Sequence, residues 1–369
     1  MHSRFHQRVG RDWLKLGAAG LATTLVLLGA PGSPAAPTPA PASAPGAINS
    51  AAHAPNASVV AVQDAGATSS FVPSSPVVRQ MVATGLTRLT GTTSIAKAWA
   101  TLLKPEDVVG FKVTAGPGPV SGTRPAVVEA LIRSLIESGH SPARILIWDK
   151  RQVDLRSSGW YRLAAELQVR CVASEEAGWD GTKSYDSPIL GRLVAGDLEF
   201  GKKELDGVGR KSHITRLLSQ EVTKIVTVAP VLSHSVSGVH GHLTGLAWAG
   251  VDNTLRFFND SNRMAEAVPE ICALDDLMPK VALAVGDALI CQFRGEERTL
   301  LHYSEALNEL RFSRDPVALD ALAIADIDRA RGRAKIEGER SFTTDLYTNA
   351  ELIELGVASL NRITVTHIP

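Results

Sequence analysis

Apolar positions along this chain follow two alternating rhythms. Short, nearly unbroken runs cover Asp107 to Thr114, Arg144 to Asp149, Lys224 to Val231 and Lys280 to Asp287. Such runs read as strands covered on both faces. Between the first two, Val127, Val128, Leu131, Ile132, Leu135 and Ile136 recur at helical spacing. Thr123 can cap that helix, Pro125 suits its first turn and Gly139 its end. A helix from about Ser158 to Gln168 and a short strand Val169 to Val172 follow. Strand, helix and strand in alternation predict a parallel sheet with right-handed crossovers.

The second half is read the same way. Ser212 to Gln220 is expected to be a helix leading into the Lys224 strand. Asp315 and Pro316 open a helix that runs to about Arg331, with Gly332 as its stop. Leu346 to Leu355 reads as a late helix and Arg362 to Thr366 as a last strand. Gly178 to Arg210 is less regular. The predicted class is therefore α/β, a mostly parallel sheet with helices on both faces and a mid-chain insertion or small subdomain.

The N-terminal residues carry a different pattern. Arg4, Arg8, Arg11 and Lys15 precede an apolar segment, Leu16 to Ala30, that is too short to span a membrane comfortably. Ser33 to Ala36 offers small residues for cleavage. Gly10 to Gly20 resembles a twin-arginine export signal, with Gly10 where the first arginine of the pair stands. Residues 1–36 are thus expected to be an export signal, which makes the mature protein periplasmic or secreted. Residues 37–70, rich in alanine, proline and serine, are expected to be a linker. Residues 71–369 are expected to form the α/β domain. The membrane enters only through an uncleaved signal.

Charge and cysteine usage narrow the partners. The 369 residues hold 38 basic and 38 acidic side chains. Removing the N-terminal basic cluster leaves the remainder at about −3, without the basic surplus nucleic-acid binding requires. Cys171, Cys272 and Cys291 lie far apart and form no C-x-x-C. They read as core residues and argue against a four-cysteine iron–sulfur cluster. The expected partner is a small molecule.

The polar residues that interrupt this pattern are the chemical candidates. Ligands of open α/β sheets bind beyond the carboxyl ends of the strands. The Lys224 strand empties there into Ser233-His234-Ser235-Val236-Ser237-Gly238-Val239-His240-Gly241-His242. Three imidazoles suit a metal site, an acid–base site or an anion pocket. On an extended segment, His240 and His242 would share one face and a divalent metal. Lys112 sits in an apolar run; it either faces the ligand crevice, binding an anion or acting as a base, or snorkels from an edge strand. Asp149 and Asp287 each end a predicted strand, as ligand-binding carboxylates or as acceptors for turn donors. Asp320 lies on an apolar helix face and needs a partner, Lys112 or Arg314. The glycines match neither a dinucleotide fingerprint nor a P-loop, and no G-x-S-x-G exists.

Several of these strings together resemble the domain-of-unknown-function family 362. Val108 to Thr114 is similar to the family's V-x-I-K-V-N strand, and Ile145 to Lys150 to the next strand, which ends in an aspartate and a basic residue. Val228 to Leu232, His234 and Gly238-Val239 resemble its N-V-P-V-L-K-x-H loop. Gly250-Val251-Asp252-Asn253 with Arg256 is similar to a G-V-x-N segment followed by arginine. Ser313 to Asp320 is close to S-x-D-P-V-A-L-D. Ser233 stands where the family commonly has lysine, Thr244-Gly245 replaces a lysine–asparagine pair, and no ferredoxin-like cysteine module is present. The resemblance adds Asn253 and Arg256 as substrate-binding candidates beside Asp149 and Asp287.

The leading expectation is an exported enzyme performing acid–base or redox chemistry on a small anionic or oxygenated organic molecule. Lys112, His234 and Asp320 are its catalytic candidates. The alternatives are a non-catalytic periplasmic binding protein for a metal or small anion, and a metal-dependent hydrolase.

Overall fold

The computed structural model describes residues 56–369 except 190, 203–206, 297 and 337–341. The expected export signal and the first part of the expected linker lie outside the described residues. The rest of that linker does not. Ala57–Gln63 is a strand (β1), its Val59 to Val62 buried, so the ordered fold begins well before residue 71. The Ser-Val-Val-Ala-Val run carries enough apolar side chains to pair; the alanine-rich flank hides it in a composition average.

Eight further strands complete the main sheet: Val109–Lys112 (β2), Ile145–Asp149 (β3), Arg170–Ala173 (β4), Lys224–His234 (β5), Gly238–Val239 (β6), Val281–Gln292 (β7), Ser304–Ser313 (β8) and Ile363–Ile368 (β9). Their order is β9-β1-β8-β7-β5-β2-β3-β4, with the short β6 turned back on β5. Pairings from β7 through β4 are parallel, as is β9 with β1, while β8 runs antiparallel to both its neighbours. The expected mostly parallel α/β sheet is present.

Each strand divides its side chains between two layers. Val109, Phe111, Ile145, Ile147, Val226, Val228, Leu283 and Val285 pack with helices Ser75–Thr90 (α1), Ile95–Leu102 (α2), Pro125–Glu137 (α3) and Trp160–Leu167 (α4). Leu146, Trp148, Ile225 and Val231 pack on the other face. That layer holds His242–Gly250 (α5), Ser261–Cys272 (α6), Pro316–Arg333 (α7) and Asp345–Leu352 (α8). Cys171, Cys272 and Cys291 are free thiols in this framework. Among the described residues no helix is long and apolar enough to cross a membrane.

Two local expectations are corrected. Ser212 to Gln220 is helical only in its second part: Lys211–Thr215 is a strand paired with Trp179–Asp186, and a short π-helical segment, Leu217–Glu221, follows it. Thr123 does not cap α3, whose cap is Arg124. Its hydroxyl donates to the Val228 carbonyl and accepts from the Thr114 amide, tying the chain just past β2 to the middle of β5. Asp315 does cap α7, accepting from the Ala318 amide at 2.9 Å.

Candidate functional site

Strand parity sets the site. Val109 and Phe111 face the α3 layer, so Gly110 and Lys112 face the α5 layer at the carboxyl end of β2. Lys112 is buried and central, between β3 and β5, which removes the edge-strand reading. Its Nζ lies 3.2 Å from Asp149 Oδ1 and donates to the Val113 carbonyl at 2.5 Å. Asp149 also accepts from the Ala115 amide and the Lys150 amide, both at 2.8 Å. The carboxylate therefore fixes two strand-end loops and the ammonium at once. Gly245 of α5 lies over Lys112; a Cβ there would stand 3.4 Å from Nζ.

Above this pair lies an inner chamber of about 100 Å³, lined by Lys112, Thr114, Asp149, Arg151, Asp154, His240, Thr244 and Trp248 among others. An outer chamber of about 740 Å³ carries His234, Arg294, Glu296, Arg298 and Tyr303. The two share Arg151, Trp248 and Phe258. The outer volume lies in the range of small-molecule sites, roughly 300–1,000 Å³.

The imidazoles bridge the chambers. The rings of His234 and His240 meet edge to face, their centroids 4.4 Å apart. The Ser237 amide donates to His234 Nδ1 at 3.1 Å, which leaves the proton of a neutral His234 ring on Nε2. Burial lowers the pKa of His234. His240 is held well below its ordinary value by burial, reinforced by His234 and Lys112, and its Nε2 has no hydrogen-bond partner among the described residues. A neutral imidazole beside a lysine can accept a proton from a bound molecule.

Other candidates are drawn elsewhere. His242 is the first residue of α5, not part of an extended H-x-H pair. Its Nδ1 shares a 3.1 Å hydrogen bond with Thr227 Oγ1, and burial pushes its pKa down to about 3. His240 lines the inner chamber and His242 does not, so the expected shared-metal pair is not formed. Among the described residues no group of three or more His, Cys, Asp or Glu side chains is gathered as a metal site.

Asp320 pairs with neither Lys112 nor Arg314. Its carboxylate accepts from the His242 amide at 2.7 Å and the Leu243 amide at 3.0 Å, satisfying the first donors of α5. Burial, only partly offset by those two bonds, raises its pKa to about 7. It supports the histidine loop and lines neither chamber. Gly241 is required beneath it, since a Cβ there would fall 2.2 Å from Asp320 Oδ1.

Asp287 also leaves the site. Strand β7 continues past it to Gln292, and its neighbours Leu283, Val285 and Leu289 face the α3 layer. It meets Arg124 Nη1 at 3.1 Å and accepts from the Arg124 amide at 2.9 Å. Asn253 is a loop staple: its Nδ2 donates to the Gly209 and Lys211 carbonyls at 3.1 and 2.9 Å. Arg256 is buried against the Tyr185 ring and donates to Ser187 Oγ at 3.0 Å. Neither of the two lines the chambers.

Arg151, Trp248, Phe258, Arg294, Arg298 and Tyr303 escape the sequence reading. Arg151 was within reach, two residues past the aspartate that ends β3. Lys150 beside it donates to the Val251 carbonyl and Thr254 Oγ1 and lies 4.4 Å from the Trp248 ring centroid. Burial lowers its pKa to about 7.

No family model matches the chain, and no curated protein does. A crystal structure of a Thermotoga maritima protein, a structural-genomics target, aligns over 71% of this chain with 11% identity and a TM-score of 0.39. The aligned part spans 59% of that chain.

Proposed function

We propose that this chain is an exported α/β enzyme that performs acid–base chemistry on a small anionic organic molecule. The observation that carries this reading is the convergence of Lys112 and His240 in one chamber at the strand ends. In it, Lys112, oriented by Asp149, holds an anionic group of the substrate. His240 in its neutral form takes a proton from the bound molecule and returns it. Burial, reinforced by His234 edge-on to it and by Lys112, keeps His240 in the neutral, proton-accepting form. The basic segment Arg4 to Lys15 and the apolar Leu16 to Ala30 support export. Kinship with the domain-of-unknown-function family 362 is part of the same reading, supported by the collinear strings around Lys112, Asp149, His234 and Asp320.

Deuterium exchange tests the chemistry. Incubation with a panel of small carboxylic acids in D₂O, followed by proton NMR, should show washout of a carbon-bound hydrogen from at least one of them. His240→Gln should slow that washout about 100-fold or more while calorimetric binding of the acid persists. Lys112→Gln should weaken binding itself. Unchanged washout in His240→Gln would refute the assignment. The unpaired arginines of the outer chamber also favour a second reading, a non-catalytic anion-binding protein. It predicts stabilisation by ligand with no washout. The metal-dependent hydrolase reading has no ligand set among the described residues.

A further inference from the structure

The outer chamber is larger and more basic than a single small anion held by Lys112 requires. Arg151, Arg294 and Arg298 line it, against one described carboxylate, Glu296. None of the three arginines forms an ion pair among the described residues, whereas buried Arg124 and Arg311 elsewhere do. Arg151 lies 5.3 Å from the Trp248 ring centroid and Arg294 5.1 Å from that of Tyr303. Aromatic faces hold a guanidinium in place while leaving its in-plane donors free for an oxyanion. Arg294 and Arg298 sit just beyond Gln292, the end of β7, a different strand from the one that carries Lys112. Two cationic positions, one enclosed and one open, thus share a wall at Arg151, Trp248 and Phe258.

We propose that the ligand carries two anionic groups, one bound by Lys112 in the inner chamber and the second by Arg294 and Arg298 in the outer one. The substrate class is a short-chain dianion: a dicarboxylate or a phosphorylated carboxylic acid. Both end groups present the planar or trigonal oxygen edge that a guanidinium fork matches. This rests on the reading of the Lys112–His240 chamber as the reacting end. It adds that Arg294 and Arg298 determine specificity and do not take part in proton transfer.

The full exported protein is titrated calorimetrically with dicarboxylates of three to six carbons, with a phosphorylated hydroxy acid, and with monocarboxylates of matched length. At least one dianion should bind about tenfold or more tightly than its matched monocarboxylate. The Arg294→Gln/Arg298→Gln double variant should erase that preference and leave the monocarboxylate affinity unchanged. These exposed rim positions do not threaten folding. Preference for dicarboxylates over the phosphorylated acid, or the reverse, identifies the second group, and either supports the proposal. Equal affinity for mono- and dianions, a preference that survives the double variant, or failure of every dianion to bind would overturn it. Lys112→Gln separates the two inferences. If it leaves binding intact while the double variant abolishes it, the inner-chamber reading fails and the arginine site stands.

Discussion

Two buried ion pairs lie in this sheet, one bordering the inner chamber at the strand ends and one on the α3 face. Lys112–Asp149 closes to 3.2 Å and Arg124–Asp287 to 3.1 Å, with every partner nearly excluded from solvent. In the second pair the carboxylate also takes the Arg124 amide, and the guanidinium reaches the Val120 and Ile290 carbonyls. Helix α3 seals it. The first pair borders a cavity and keeps part of the ammonium turned toward it. Burial and charge are the same in both, so neither marks function. What distinguishes them is hydrogen-bonding capacity left facing open space.

The comparison can be broken by measurement. Asp287→Ala should have the largest effect, because it leaves a sealed guanidinium without its anion. The expected loss is about 3–5 kcal/mol in urea denaturation. Asp320→Ala strands the amides of His242 and Leu243 and should cost about 2–4 kcal/mol, with His240 displaced and ligand binding weakened.

His242 gives a pH signature. Its folded-state pKa of about 3 lies below the unfolded value of 6.5, so the unfolded chain binds the proton first as pH falls. Stability is fully present above pH 6.5 and is lost progressively toward pH 3. Between pH 7 and pH 5 the loss is about 2 kcal/mol, and His242→Gln should remove it. Asp320 has the opposite sign: with its pKa raised to about 7, its contribution declines as pH rises from about 4 through 7. The two are separated by comparing the pH profiles of His242→Gln and Asp320→Asn.

Lys112→Gln should have the smallest effect on stability, about 1 kcal/mol. Asp149 keeps its two amide donors and the chamber beside it admits water. If its cost equals that of Asp287→Ala, the contrast between an open and a sealed pair is wrong.

Much of the scaffold was legible because its signals are local. The apolar runs around Lys112, Asp149 and Val228 are strands, and the helical spacing of Val127 to Ile136 is α3. Strand-end placement correctly singled out Lys112, Asp149, His234 and His240 as polar groups in one region. The Ser212 stretch splits into a strand and a short helical segment, because its first residues find a strand partner in Trp179–Asp186 that lies outside any local window. Asp320 was legible as a carboxylate in need of a partner, but two backbone amides of a distant loop answer that need as well as a lysine would.

The chain by itself therefore determined the layers, through periodicities of two and 3.6 residues that depend only on adjacent positions. Only the tertiary structure decided which face Asp287 turns to, that α5 begins at His242 rather than after it, and that Arg294 and Arg298 arrive beside His234. Those outcomes depend on where separate strands end relative to one another, a distance that no window of sequence contains.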